Sequence, residues 1–141
     1  MSLFSVFNIA GSALNAETIR LNTTASNLAN AESESGNAAT VYRAREPVFQ
    51  TIMKSATADP NTAGAIAGVR VLGIVESQAP AEMRYQPDSP LANAKGYVYM
   101  SNVNPIEEMA NMISANRSFA TDVDAINTAR DLLLKTIAMG R

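Results

Sequence analysis

The chain has 141 residues, a formal charge of −2 and 17% charged side chains. With no clustered basic face it is not a nucleic-acid binder, because phosphate recognition needs concentrated Lys and Arg. The absence of His and Cys removes thiolate chemistry, Ser-His and Cys-His nucleophilic pairs and the commonest zinc ligands.

The chain opens on MSLFSVFNIAGSALNA, apolar and ending in small residues like a signal peptide. No Lys or Arg precedes Arg20, so the positive n-region is missing and the segment reads as mature structure, not as a cleaved leader. A helix starting near Ser2 or Ser5 carries Phe7, Leu14, Leu21 and Leu28, one apolar residue every seven positions. A seven-residue repeat keeps an apolar seam facing a partner helix. Phe4, Gly11, Thr18 and Ala25 form the second row of that seam, mostly small, which allows close approach of the partner. Glu17 and Arg20 are the only charges before Glu32. Asn8, Asn15 and Asn22 repeat every seven positions beside the seam, joined by Asn27 and Asn30. Asn and Thr are mediocre helix formers. A solvent-facing helix would carry Glu and Lys there, so the polar face is expected to meet neighbouring molecules and to order fully only with them.

ESESGNAAT, residues 32–40, reads as a loop. Short β-prone runs follow at Val41–Arg45, Pro47–Met53, Val69–Glu76, Glu82–Tyr85 and Tyr97–Met100. Val69–Val75 is apolar on both alternating faces apart from Arg70, which predicts burial on both sides. SATADPNTAGAIAG, residues 55–68, reads as a loop of small residues, flexible in character, and a turn is expected at Lys95-Gly96. Tyr85, Tyr97 and Tyr99 are expected to pack this small sheet. The last helix begins at Asn104-Pro105, a cap followed by proline at the first helical position. Its seam is Met112, Phe119, Ile126 and Leu133, flanked by Met109, Asn116, Val123, Arg130 and Ile137. Asn116, polar at a core-type position, would fix register and is also a candidate neighbour contact.

Together these elements predict a mainly α fold with a small β insertion. Residues 1–32 and 105–141 form a discontinuous helical domain, the two helices paired as an antiparallel coiled coil. Residues 33–104 form a short β-hairpin and loop region. No catalytic, metal or cofactor-binding constellation emerges: no GxGxxG, P-loop or EF-hand spacing occurs. Asp122 and Asp124, two apart, do not share a helix face, and nothing positions Glu76, Glu82 and Asp88 together. No run of apolar residues is long enough to span a membrane. The reading is a structural assembly subunit without cofactor; the alternative is a secreted helical ligand-binding module or enzyme with its site in the 33–104 loops.

GSALNAETIRLNTTASNLANAES, residues 11–33, resembles the N-terminal signature of bacterial flagellar axial proteins. SQAPAEMRYQPDSPLANAKGYVYMSNVNPIEEM, residues 77–109, and ISANRSFATDVDAINTARDLLLKTIAMG, residues 113–140, are similar to the proximal-rod branch of that family. The resemblance implies a non-enzymatic building block of the rod, in the periplasm, that transmits torque from motor to hook. It implies export by the flagellar type III apparatus without a cleaved signal. The partners it implies are the chain itself, other proximal rod proteins, the rod-to-ring adaptor protein and the distal rod protein.

Overall fold

The structure, a computed structural model, describes residues 3–54 and 66–140. Helix α1 spans Leu3–Ala29 and helix α2 spans Pro105–Met139, 27 and 35 residues long. Between them lie β1 (Glu34–Ser35), β2 (Arg45–Lys54), β3 (Ile66–Glu76), β4 (Glu82–Tyr85) and β5 (Tyr97–Met100). The fold is therefore mainly α with small sheets. The possible cap Ser2 and residues 55–65 of the expected loop lie outside the described residues, while Ile66–Gly68 belong to β3. At the start of α2 the Asn104 Oδ1 accepts the Ile106 N–H at 3.1 Å. Pro105 then occupies a position whose N–H the helix does not use.

The strands form two sheets. One is two-stranded, β2 beside β3; the other has the order β1-β5-β4. In the latter both pairings are antiparallel, with Ser35 and Met83 opposite Tyr99, and Tyr85 opposite Tyr97. Successive strand residues point to opposite faces, so Val98, fully buried, lies on one face. Met83, Tyr85, Tyr97 and Tyr99 lie on the other. The turn before β5 needs Gly96 at φ 78°, and a Cβ there would come within 2.9 Å of the Tyr85 ring. Two expectations change. Val41–Arg45 is not a strand apart from Arg45; instead Val41 and Ala44 are buried in irregular chain. β3 is not covered on both sides: Leu72, Ile74 and Val75 are all exposed.

The chain divides into two compact units. One comprises Met1–Ile19, Val48–Gly73 and Ser114–Arg141; the other comprises Arg20–Pro47 and Ile74–Ile113. Both helices contribute to both units, and the 33–104 region is divided between them. In the first unit the Ser12 hydroxyl donates to Ile9 O at 2.7 Å and accepts the Val69 N–H at 3.1 Å, which ties β3 to α1. The second is built on Ala31, Ala44 and Val103, with Tyr42 packed against them. Asn102 braces it, accepting from Ala44 N at 2.8 Å and donating to Ala79 O at 2.9 Å.

The residues buried along the helices are not those of the expected second row. On α1 the seam residues Phe7, Leu14, Leu21 and Leu28 are half-buried. Gly11, Thr18 and Ala25, of the expected second row, are all exposed, as are Asn8, Asn15, Asn22 and Ala29. The residues that go fully inside are Ala10, Ala16, Thr23, Thr24 and Asn27. On α2 Met112, Phe119, Ile126 and Leu133 are half-buried, and their inner flank is Ala115, Asp122 and Ala129. Met109, Asn116, Arg130 and Ile137 are exposed, Ile137 by 56%, so the predicted seam stops short of Ile137 in the single chain. The physical reason is size. Alanine lets another backbone approach closely, and the fully buried apolar residues of both helices are alanines, while the large seam residues are only half-buried.

Candidate functional site

The asparagines of α1 end where the structure places its densest polar node. Asn27, 1% exposed, sits in the last turn of α1. Its Nδ2 donates to Arg45 O at 2.8 Å and to Glu108 Oε1 at 2.9 Å. Its Oδ1 accepts from Arg45 N and from the Tyr42 hydroxyl, both at 2.9 Å. An amide offers two donors and two acceptor sites, so Asn27 is saturated within its own chain. The expected subunit contact at Asn27 therefore meets a side chain with no polar atom left to offer a neighbour. Asn30 is half-buried, its Nδ2 donating to Ser26 O at 2.8 Å. Asn8, Asn15, Asn22 and Asn116 are exposed. The sequence signal for Asn27 is its position: it falls outside the row 8, 15, 22, whose next member is Ala29.

Around this node the titratable groups are engaged in structure. Arg45 pairs with Glu76 at 3.3 Å and lies 5.3 Å from the centre of the Tyr42 ring. These residues and Arg43 line a polar cavity of about 720 Å³ beside Ser33, Glu34 and Thr40. Burial, with the charges of Glu107 and Glu46, raises the Glu108 pKa above the ordinary glutamate value; hydrogen bonds from Asn27 and Thr24 offset this in part. No cluster of carboxylates among the described residues has metal-holding geometry. The cavity contains no nucleophile paired with a base.

What the surface offers instead is unfilled apolar area. Among residues 5–52 and 68–140 every buried apolar side chain is Ala or Val; no Leu, Ile, Met, Phe or Tyr there is buried. The large ones lie outside. Ile106, Met109 and Ile113 make an exposed stripe at the start of α2, Ile106 being 79% exposed. Leu132, Leu134, Ile137 and Met139 stud its other end. Met83, Tyr85 and Tyr97 stand on the open face of the three-stranded sheet, Tyr85 edge-on to Tyr97 at 5.2 Å. Contiguous exposed apolar surface of this kind marks contact with other molecules.

Comparison with known proteins identifies the class of those molecules. Residues 7–32 match the family model of the flagella basal body rod protein, and residues 94–139 match that of the flagellar basal body rod FlgEFG protein C-terminal region. The chain is 47% identical over 141 residues to the flagellar basal-body rod protein FlgC of Escherichia coli, covering all of both chains. It is 45% identical to that of Salmonella typhimurium over the same full length. It is 40% identical to that of Buchnera aphidicola, over 99% of this chain and 98% of the relative. The chain belongs to the FlgC family of flagellar basal-body rod proteins. It is a structural subunit of the basal-body rod and not an enzyme, which overturns the alternative of an active site in the 33–104 loops. The two matched regions fall on α1 and on β5 with α2, and so include Asn27, Glu108 and the exposed apolar residues of α2. No helix among the described residues is long and apolar enough to cross a membrane.

Proposed function

We propose that this FlgC-family chain is a subunit of the proximal part of the rod, completed as a fold only by its neighbours in the assembly. The observation that carries this reading is the inversion of residue size, with Ala and Val inside and Leu, Ile, Met and Tyr outside. A free-standing domain of this length would do the opposite. In this reading α1 and α2 pair as an antiparallel coiled coil, supported by the hydrogen bond from the end of α1 to the start of α2. The stripe Asn8, Asn15 and Asn22, with Asn116 of α2, faces adjoining subunits. Unlike faces in contact build an open helical array in place of a closed ring. Such an array transmits torque from motor to hook through long packed helices.

The neighbours are further copies of the chain, other proximal rod proteins, the rod-to-ring adaptor protein and the distal rod protein. The rod lies in the periplasm, and its subunits reach it through the flagellar type III export apparatus without signal cleavage. The test is a triple substitution, Asn8→Glu, Asn15→Glu and Asn22→Glu. Charge forced into a closely packed interface without a partner is costly. The variant should be exported yet build no rod. Normal basal bodies from that strain would show that the row faces solvent in the assembly, and would refute the reading.

A further inference from the structure

Helix α2 presents apolar side chains at both ends that are exposed in the single chain. At its start Ile106, Met109 and Ile113 are exposed and follow the spacing i, i+3, i+7. At about 100° per residue they stand about 120–180° around the axis from Ala115, which is fully buried. The stripe therefore faces away from the buried line of α2, and its spacing is the one by which helix packs on helix. At the other end Leu132, Leu134, Ile137 and Met139 are exposed. By the same measure Ile137 lies about 40° from Ala115, Leu132 and Met139 about 100–120° to one side, and Leu134 about 100° to the other. A helix end that is apolar on three sides belongs inside a packed body. The two ends differ in charge. Between Asn104 and Asn116 the only charged residues are Glu107 and Glu108. Glu46 acts on Glu108 from β2, and a cavity beside Pro105 adds Glu32, Glu34 and Glu82 against Arg84. In residues 130–141 the sequence sets Arg130, Lys135 and Arg141 against Asp131 alone. One chain thus carries an acidic apolar surface at one end of α2 and a basic apolar surface at the other.

Resting on the rod reading above, we propose that the end of α2 in one copy of the chain docks against the start of α2 in a second copy. Leu132 and Met139 lie along Ile106, Met109 and Ile113. Lys135, about 40–60° around the helix from that row, meets the acidic rim provided by Glu107 and Glu46. A second copy is the occupant because the chain supplies both halves of a pair matched in apolar character and opposite in charge. Two starts together would set glutamates against glutamates, and two ends would set bases against bases, so charge disfavours both symmetric pairings. Burial of the apolar side chains holds the contact, while charge selects the partner and the direction. Contact between unlike surfaces is heterologous. Each copy in a pair keeps one surface unused, so copies add in a row of fixed direction. A run of copies ends with one start and one end open to a different protein.

The test uses the full chain in the assembled rod. The chain has no cysteine, so Met109→Cys with Met139→Cys places one thiol at each end of α2. Within one helix the two sit about 45 Å apart, beyond the reach of a short bismaleimide, so every 109–139 link joins two copies. Purified basal bodies carrying the double variant are treated with that reagent, and the products are sized and mapped by mass spectrometry. The expected products are dimers and longer ladders of this chain linked 109 to 139, with no dimer from either single variant. Lys135→Glu should lower the ladder yield about two- to five-fold, the effect of an exposed ion pair, and Glu107→Lys in the same chain should restore it. A dimer from either single variant would mean a symmetric contact and would overturn the head-to-tail pairing. So would position 109 linked only to a different protein, or left unlinked in basal bodies that contain the chain. Those results leave the rod reading standing, whereas basal bodies without the wild-type chain would overturn both. If the double variant does not assemble, benzoylphenylalanine in place of Ala110, exposed beside the stripe, reads the same contact by photo-crosslinking. Capture of residues 130–140 of a second copy supports the pairing, and capture of anything else overturns it.

Discussion

Asn22 and Asn27 lie five residues apart on one helix and have opposite fates. At about 100° per residue they are separated by about 140° around the axis. Asn22 is exposed on a stripe with Asn8 and Asn15. Asn27 is buried with four hydrogen bonds inside the chain. The same side chain therefore serves as an internal keystone on one face of α1 and as a candidate contact surface on another. Residue type does not distinguish the two roles; helical phase does. The two faces also separate two kinds of damage. Lesions on the Asn27 face should be felt by the isolated chain, and lesions on the Asn22 face only by the assembled rod.

The largest expected effect is at the keystone. Asn27→Ala leaves the Arg45 backbone N–H and C=O without the amide and removes one partner each from the Tyr42 hydroxyl, which keeps Ser26, and from Glu108, which keeps Thr24; each buried group left unpaired costs about 1–3 kcal/mol. A loss at or above the top of that range should appear as a lower urea midpoint for the unassembled chain. An unchanged midpoint would mean that water replaces the amide and that Asn27 is no keystone.

The register of α2 gives the next effect. Ala115 is 0% exposed, whereas its neighbour Asn116 is exposed. Ala115→Leu should cost about 1–3 kcal/mol by overpacking, and Asn116→Leu should stay within about 0.5 kcal/mol in the same assay. Equal effects would return the inner flank to the 116 and 130 row.

Smaller still is Leu21→Ala. The side chain is half-buried in the single chain, so the loss should fall below the roughly 2–5 kcal/mol of a fully buried leucine. Swimming should nonetheless be abolished, because the rest of that side chain is expected to be covered in the rod. The smallest is the triple Asn-to-Glu chain before assembly: each exposed change should move its stability by no more than about 0.5 kcal/mol. A large drop there would place the row inside the subunit.

Much of this architecture is legible in the sequence. The Asn104-Pro105 start of α2, both helices, and the limits of β4 and β5 follow from caps, proline and apolar pattern. β1 is not legible, because two residues carry no periodicity and Glu34–Ser35 become a strand only by pairing with Met100 and Tyr99. The heptad rows of Leu21 and Phe119 can be read, but not which flank turns inward. Ala115 and Ala129 look unremarkable by hydrophobicity, and their value is their smallness. β3 misleads for the converse reason: Leu72, Ile74 and Val75 are apolar as for a core, yet are exposed in the single chain. The node escapes notice because Asn27 sits among exposed asparagines of the same helix.

Centrally, the outer stripe of α1 is covered by neighbouring subunits in the proposed rod, while its inner stripe is already closed within the chain. The chain has no cysteine, so one introduced thiol reports alone. Asn15 is exposed and the adjacent Ala16 is buried. Asn15→Cys should react readily with a maleimide in the unassembled protein and be protected in purified basal bodies, while Ala16→Cys should be protected in both. Equal labelling of Asn15→Cys before and after assembly would contradict the claim.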